Sequence, residues 1–180
     1  MKAAAFLDRD GVLNASIMLN GAPCPPRRVS EVEILPGVRE AIDLLIQNDY
    51  LPIVITNQPD VSRGSKSISD IKQINEHIGI EIGLTNFYIC PHDDDDLCAC
   101  RKPMPGLIQL AVKELGIDLS KSFLVGDRWR DVQAGQAMNL PSFFIDYSYN
   151  ESQPNQPFTR VNSLLEAVYI RLGASHGFSN

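Results

Sequence analysis

The feature that most restricts this chain is an alternation of two patterns. Short apolar runs, each ending near a polar or charged residue, take turns with stretches whose apolar residues recur at helical spacing. The runs are "AAAFLD" (3–8), "YLPIVITN" (50–57), "FYIC" (87–90), "SFLVGD" (122–127) and "PSFFID" (141–146), and they read as buried parallel strands. In "PGVREAIDLLIQN" (36–48), Val38, Ala41, Ile42 and Leu45 share one helix face. "SISDIKQINEHIGIEI" (67–82) begins with Ser-x-x-Asp, a variant of the reciprocal cap that starts helices. "PGLIQLAVKELG" (105–116) has proline near its start and glycine at its end, as helices prefer. "RDVQAGQAMN" (130–139) is weakened by Gly135, and "VNSLLEAVYIRLG" (161–173) supplies a final helix. Strands alternating with helices predict an α/β protein of three layers, a parallel sheet covered by helices on both faces.

At 180 residues, with no internal repeat, the chain is expected to form one domain over 1–180. A Pro-rich segment (14–32) reads as a long loop after the first strand, 151–157 as a polar connector to the last helix, and 174–180 as a frayed tail. The formal charge of −6 gives no global pull toward nucleic acid or an anionic membrane, so a phosphorylated ligand would need a local cluster of donors. The first apolar run is too short for a signal peptide, and no stretch approaches the roughly 18 apolar residues of a membrane span. These features predict a cytoplasmic enzyme or binding domain, a setting in which thiols serve metals or catalysis more often than disulfides.

In open α/β sheets, ligands bind beyond the carboxyl ends of the strands. Four of the runs lead into reactive residues there: "DRDG", "TNQ", "CPH" and "GDRWRD". In "LDRDGVLN" (7–14), Asp8 and Asp10 can face one pocket while Gly11 lets the chain turn. The glycine comes too early for an EF-hand calcium loop. Thr56 and Asn57 offer a hydroxyl and an amide to phosphate oxygens, although the pair is also common turn chemistry. Arg101 and Lys102 precede a helix start, where anions are already favoured. Asp127 follows a strand, with Asp131 on the next helical turn, so Asp8 and Asp127 from neighbouring strands could hold Mg²⁺. Between these motifs, "CPHDDDDLCACRKP" (90–103) carries three of the four cysteines. By itself it reads equally as a metal clip, a redox pair at Cys98 and Cys100, or an acidic loop.

Together "DRDGVLN", "TNQ", "CRKPMPG" and "VGDRWRD" resemble the haloacid dehalogenase superfamily of phosphohydrolases, in that order, from position 4 to about 147. The resemblance is strongest to the branch holding the heptose-bisphosphate and histidinol-phosphate phosphatases, which carries a zinc loop ahead of its Arg-Lys-Pro motif. It implies a Rossmann-like fold without a separate cap domain, with loops 14–32, 58–66 and the zinc loop (90–100) selecting the substrate. It implies Asp8 as nucleophile and Asp10 as acid and base. Mg²⁺ would be held by Asp8, the main-chain carbonyl of Asp10, and Asp127, with Asp131 supporting Asp127. Thr56 and Lys102 would grip the phosphoryl group, and Asn57, Arg63, Arg101 and Arg128 would surround the entrance. Cys90, His92, Cys98 and Cys100 would hold a structural Zn²⁺, a donor set that suits a closed tetrahedral shell.

The partner implied is a small phosphorylated metabolite of carbohydrate metabolism, bound by a monomer with no nucleic-acid or membrane partner. "VSRG" (61–64) and "KPMPG" (102–106) resemble the heptose-bisphosphate enzymes. The short spacing from His92 to Cys98 resembles the histidinol-phosphate enzymes, so both substrates stay open. The aspartates 93–96 are expected to form a turn facing solvent, away from the pocket. Two rivals from other classes are a zinc-stabilised binding module and a thiol redox protein.

Overall fold

The computed structural model describes residues 1–173, and the tail expected at 174–180 lies outside the described residues. In chain order the elements are β1 (Ala3–Leu7), β2 (Ile17–Leu19), β3 (Ala22–Cys24), α1 (Val38–Gln47), β4 (Tyr50–Asn57), α2 (Ile68–Ile82) and β5 (Phe87–Cys90). They continue with α3 (Gly106–Leu115), β6 (Phe123–Gly126), α4 (Trp129–Gln136), β7 (Ser142–Ile145), β8 (Thr159–Val161) and α5 (Leu164–Leu172). Six strands form one sheet in the order β5-β4-β1-β6-β7-β8, every pairing parallel.

The central strands β1 and β6 are apolar throughout because each is covered by helices on both sides. In β1, Ala5 and Leu7 join the core packed by α1, α2 and α5, while Ala4 and Phe6 join the core packed by α3 and α4. A buried side chain as large as Phe6 adds roughly 1.5–3 kcal/mol through area removed from water. The cap expected at Ser67 is present: the Asp70 amide donates to Ser67 Oγ (3.1 Å) and the Ser67 amide to Asp70 Oδ2 (2.8 Å).

Two expectations are corrected. The Pro-rich segment 14–32 is not simply a loop, because β2 and β3 pair within it as an antiparallel hairpin. Its turn is Asn20-Gly21, both at positive φ (51° and 79°), the backbone that a tight hairpin demands. The connector 151–157 leads first into the edge strand β8 and only then into α5. Both elements are too short for alternation to reveal them.

The topology places the site. From β1 the chain moves outward through β4 and β5, then crosses back to β6 on the other side of β1 and continues to β7 and β8. The reversal at β1 opens a crevice at the carboxyl ends of β4, β1 and β6, the usual ligand position in such sheets. Among the described residues, no helix is long and apolar enough to cross a membrane.

Candidate active site

Asp8, Thr56, Lys102 and Asp127 converge on this crevice, all of them buried. They line a cavity of about 710 Å³, together with Asp10 and Asp131. Lys102 is the hub. Its Nζ donates to Asp8 Oδ1 (2.8 Å), Asp131 Oδ1 (2.6 Å) and the Ile55 carbonyl (2.7 Å). Burial alone would lower its pKa, but the charges of Asp131 and Asp8 outweigh that and raise it, so the ammonium stays charged. Burial pushes Asp8 up to about 7 despite the lowering effect of Lys102. Burial also pushes Asp127 well above the usual carboxylate range, and Asp8 and Asp131 add to the rise.

Asp127 is the anomaly of the site. It is 1% exposed, and neither carboxylate oxygen has a hydrogen-bond partner of good geometry, although the Tyr149 hydroxyl lies close enough to ease its charge. Oxygens of Asp8, Asp127 and Asp131 lie within 4.8 Å of one another. Three crowded carboxylates with one lysine leave negative charge uncompensated, and an orphaned buried carboxylate is costly. Oxygen donors of this kind fit a hard divalent cation. Packing around Asp127 also explains Gly11: at φ 84°, an added Cβ would lie 2.0 Å from Asp127 Oδ2.

Asp10 stands apart from that cluster and is held by neutral and cationic donors. Its carboxylate accepts from Arg9 Nη2 (2.8 Å), Asn14 Nδ2 (3.0 Å) and Gln58 Nε2 (2.9 Å). Arg9 is fully buried, and its Nη1 donates to Asn75 Oδ1 on α2 (2.8 Å). Gln58 also donates to Thr56 Oγ1 (2.9 Å), which ties β4 to the same network. Sequence reasoning missed Arg9, Asn14, Gln58 and Asn75. Only Asn75 carried a signal, as a polar residue on the apolar stripe with Ile71, Ile74 and Ile78.

Several expected positions have other partners. The side-chain amide of Asn57 is engaged at both ends by the Lys102 backbone: Nδ2 donates to the carbonyl (3.0 Å) and Oδ1 accepts from the amide (3.0 Å). It therefore anchors the turn that carries Lys102 and is not free for substrate. Asp131 bonds Lys102 and the Arg128 amide (2.9 Å), so its direct support goes to them and not to Asp127. Arg128 lines the cavity and pairs with Glu151, its Nε lying 2.6 Å from Oε1.

The aspartate run forms the expected turn, with Asp94, Asp95 and Asp96 exposed, but it is not wholly turned away from the pocket. Asp94 lines the cavity. Arg63 Nε donates to Asp93 Oδ2 (2.5 Å), and Arg101 Nε to Asp94 Oδ1 (2.8 Å). The run does not face solvent alone, because the turn it builds also lies beside Arg63, Arg101 and Arg130.

Cys90, His92, Cys98 and Cys100 come together as expected. Cys100 Sγ is 3.2 Å from Cys90 Sγ, 3.5 Å from Cys98 Sγ and 3.3 Å from His92 Nδ1. Cys90 Sγ lies 3.7 Å from both Cys98 Sγ and His92 Nδ1. A tetrahedral zinc with sulfur bonds of about 2.3 Å would space its ligands roughly 3.8 Å apart, so these donors need to spread only slightly. Burial opposes ionisation of Cys98, but the Arg101 amide and neighbouring thiols outweigh it and bring this thiol to about 7. All four cysteines are free thiols, and Cys24 stands away from the set, on β3 at the cavity wall.

Residues 25–139 match the haloacid dehalogenase-like hydrolase family. The chain is 34% identical over 151 residues to the D-glycero-beta-D-manno-heptose-1,7-bisphosphate 7-phosphatase of Pasteurella multocida, covering 78% of this chain and 79% of that protein. It is 29% identical over 177 residues to the D-glycero-alpha-D-manno-heptose-1,7-bisphosphate 7-phosphatase of Photorhabdus laumondii, covering 89% and 91%. The crystal structure of D,D-heptose 1,7-bisphosphate phosphatase from B. bronchiseptica, complexed with magnesium and phosphate, superposes with a TM-score of 0.81. That match has 26% identity and covers 97% of this chain and all of that one.

Proposed function

The chain belongs to the haloacid dehalogenase-like hydrolases, and from that premise we propose that it is a Mg²⁺-dependent phosphatase of a sugar bisphosphate, heptose 1,7-bisphosphate first among them. The observation that carries the reading is the cavity in which Asp8, Asp10, Lys102 and Asp127 meet at the reversal of the sheet.

In this reading Asp8 attacks phosphorus and forms an aspartyl-phosphate while the sugar oxygen leaves. Asp10 gives that oxygen its proton. The ionised Asp10 then takes a proton from the water that cleaves the acyl-phosphate, which restores both residues. Arg9, Asn14 and Gln58 fix the carboxylate that does both jobs. Lys102 holds Asp8 in position and offers positive charge to the phosphoryl oxygens, with the Thr56 hydroxyl lining the same cavity. Asp8 and Asp127 would hold Mg²⁺ with the Asp10 carbonyl, and Asp131 stands close enough to join them. That ion supplies charge that favours the ionised carboxylates and offsets charge on the transferring group. Cys90, His92, Cys98 and Cys100 would hold a structural Zn²⁺ that fixes Arg101 and Lys102 toward the cavity.

We read the chain as a single uncapped domain, monomeric and cytoplasmic, acting on a small phosphorylated metabolite. The cavity exceeds what one phosphate fills, and its rim offers Arg63, Arg101 and Arg128 to a second anionic group. One observation favours a second reading, histidinol phosphate: Asp94 lines the cavity and could meet an amine. The test compares kcat/KM for heptose 1,7-bisphosphate, its monophosphates, histidinol phosphate and an aryl phosphate, repeated with Arg63→Ala. The bisphosphate should give the highest value and lose several-fold in Arg63→Ala. Preference for histidinol phosphate, with bisphosphate turnover indifferent to Arg63→Ala, would reject the substrate and leave the phosphatase.

A further inference from the structure

The aspartate run 93–96 is the most concentrated charge in the chain, and the mechanism above does not use it. Three arginines from three separate segments meet it. Arg63 comes from the turn after β4, Arg101 follows the cysteine pair, and Arg130 lies on the first turn of α4. Asp93 binds Arg63 through two contacts (2.5 and 2.9 Å). Asp94 Oδ1 accepts from Arg101 Nε (2.8 Å) and Arg130 Nη1 (3.0 Å), and its Oδ2 from Arg130 Nη2 (3.2 Å). The turn itself is pinned, because the Asp93 amide donates to Asp96 Oδ2 (2.7 Å). Arg63, Arg101, Arg130 and Asp94 all line the cavity that holds Asp8 and Asp10.

We propose that Asp94 is a specificity-determining residue: its carboxylate occupies, from within the chain, the place between Arg101 and Arg130 that a second anionic group of the substrate takes over. The inference rests on the sugar-bisphosphate reading and deepens it. Without an anion between them, guanidinium groups gathered at one mouth repel each other. Asp94 keeps them assembled, and the ion pair is replaceable because its carboxylate is 54% exposed. A phosphate brings nearly two charges and three acceptor oxygens, so it gains by exchange with a single carboxylate. A carboxylate-bearing ligand only repeats the contacts Asp94 already makes. The placeholder therefore sorts second groups, passing phosphate in preference to carboxylate.

The test is Asp94→Asn in the full chain, read as kcat/KM for heptose 1,7-bisphosphate relative to that for an aryl phosphate. The ratio should rise about three- to fivefold, the scale of a half-exposed ion pair, with the change in KM. A phosphorylated sugar acid should gain at least as much. A ratio that stays constant or falls overturns the proposal. Zinc content and melting temperature check that the loop survives. Should Asn disturb it, Asp94→Ser is measured in the same way. If the natural chain hydrolyses the aryl phosphate and no bisphosphate, the substrate reading fails, and the placeholder is judged by inhibition. A hexose bisphosphate should then inhibit aryl phosphate hydrolysis more tightly in Asp94→Asn, and equal inhibition rejects it.

Discussion

The acid cluster beneath the cavity and the thiol cluster beside it sit at the same edge of the sheet but handle charge in different ways. Asp8 and Asp131 share one buried lysine, while Asp127 lies outside that ion pair, its charge eased only in part by the Tyr149 hydroxyl and Arg128. Those groups are hard oxygens packed against one another in a buried site, with a deficit of positive charge. The thiol cluster needs no buried cation of its own, because thiols can remain protonated until a metal replaces the protons. Its donors are one nitrogen and three sulfurs, a complete tetrahedral shell with no position left for substrate. The first cluster suits an ion that exchanges and keeps open positions. The second suits an ion that stays and shapes the loop before Lys102.

The comparison breaks most sharply at Asp8. Asp8→Asn should lose on the order of 10⁴-fold or more in turnover, because it removes the proposed nucleophile. The fold should persist, since the change removes a charge from a site that has too many carboxylates. Purified Asp8→Asn with near-normal rates would rule out the covalent route. Asp10→Asn comes next and should cost roughly 10²–10⁴-fold, the range of general acid–base assistance. Its circular dichroism should match the natural chain, and a rate within about threefold of normal would deny Asp10 the proton.

The two clusters should also part under chelation. Mild EDTA is expected to stop turnover reversibly, with Mg²⁺ restoring it, because such ions keep waters and exchange readily. Elemental analysis of the same sample should still find zinc. A thiol-reactive reagent should release that zinc and lower the melting temperature by on the order of 10 °C, as loss of a loop crosslink would. Protein isolated without chelators, zinc-free and with all its thiols reactive, would remove the clip.

What the sequence made legible follows from how local each signal is. The strands β1, β4, β5, β6 and β7 declare themselves because burial on both faces leaves continuous apolar runs. The residues Asp8, Thr56, Lys102 and Asp127 were legible because each directly follows or ends such a run, or precedes a helix. Strand β8 and the Pro-rich hairpin were hidden because three residues carry no measurable period, although Asn20-Gly21 was a usable turn signal. Arg9 looked like an ordinary cation in "DRDG". Its burial depends on Asn75, far along the chain, and no local pattern encodes that pairing. The same holds for Asp93 and Asp94, whose partners Arg63 and Arg130 are set by tertiary packing.

The smallest expected effect concerns protons in the acid cluster. Burial holds the Asp8 carboxyl near 7, above the value of about 3.9 for an unfolded aspartate. Between those values the folded chain keeps a proton that the unfolded chain has lost. The resulting stability is complete below the unfolded value and disappears as pH rises through about 7. Mg²⁺ needs the ionised form, so it must displace that proton at pH 6 and meets little competition from Asp8 at pH 8. One pH unit below the folded pKa weakens binding by about 1.4 kcal/mol, which amounts to a melting shift of roughly 2–4 °C for a chain of this size. The rise in melting temperature on adding Mg²⁺ should therefore be larger at pH 8 than at pH 6, and Asp8→Asn should narrow the difference. Zinc-dependent stability is measured in parallel as the reference. An equal Mg²⁺ gain at both pH values would mean that the ion does not compete with the Asp8 proton, and the contrast between the two clusters would lose its electrostatic basis.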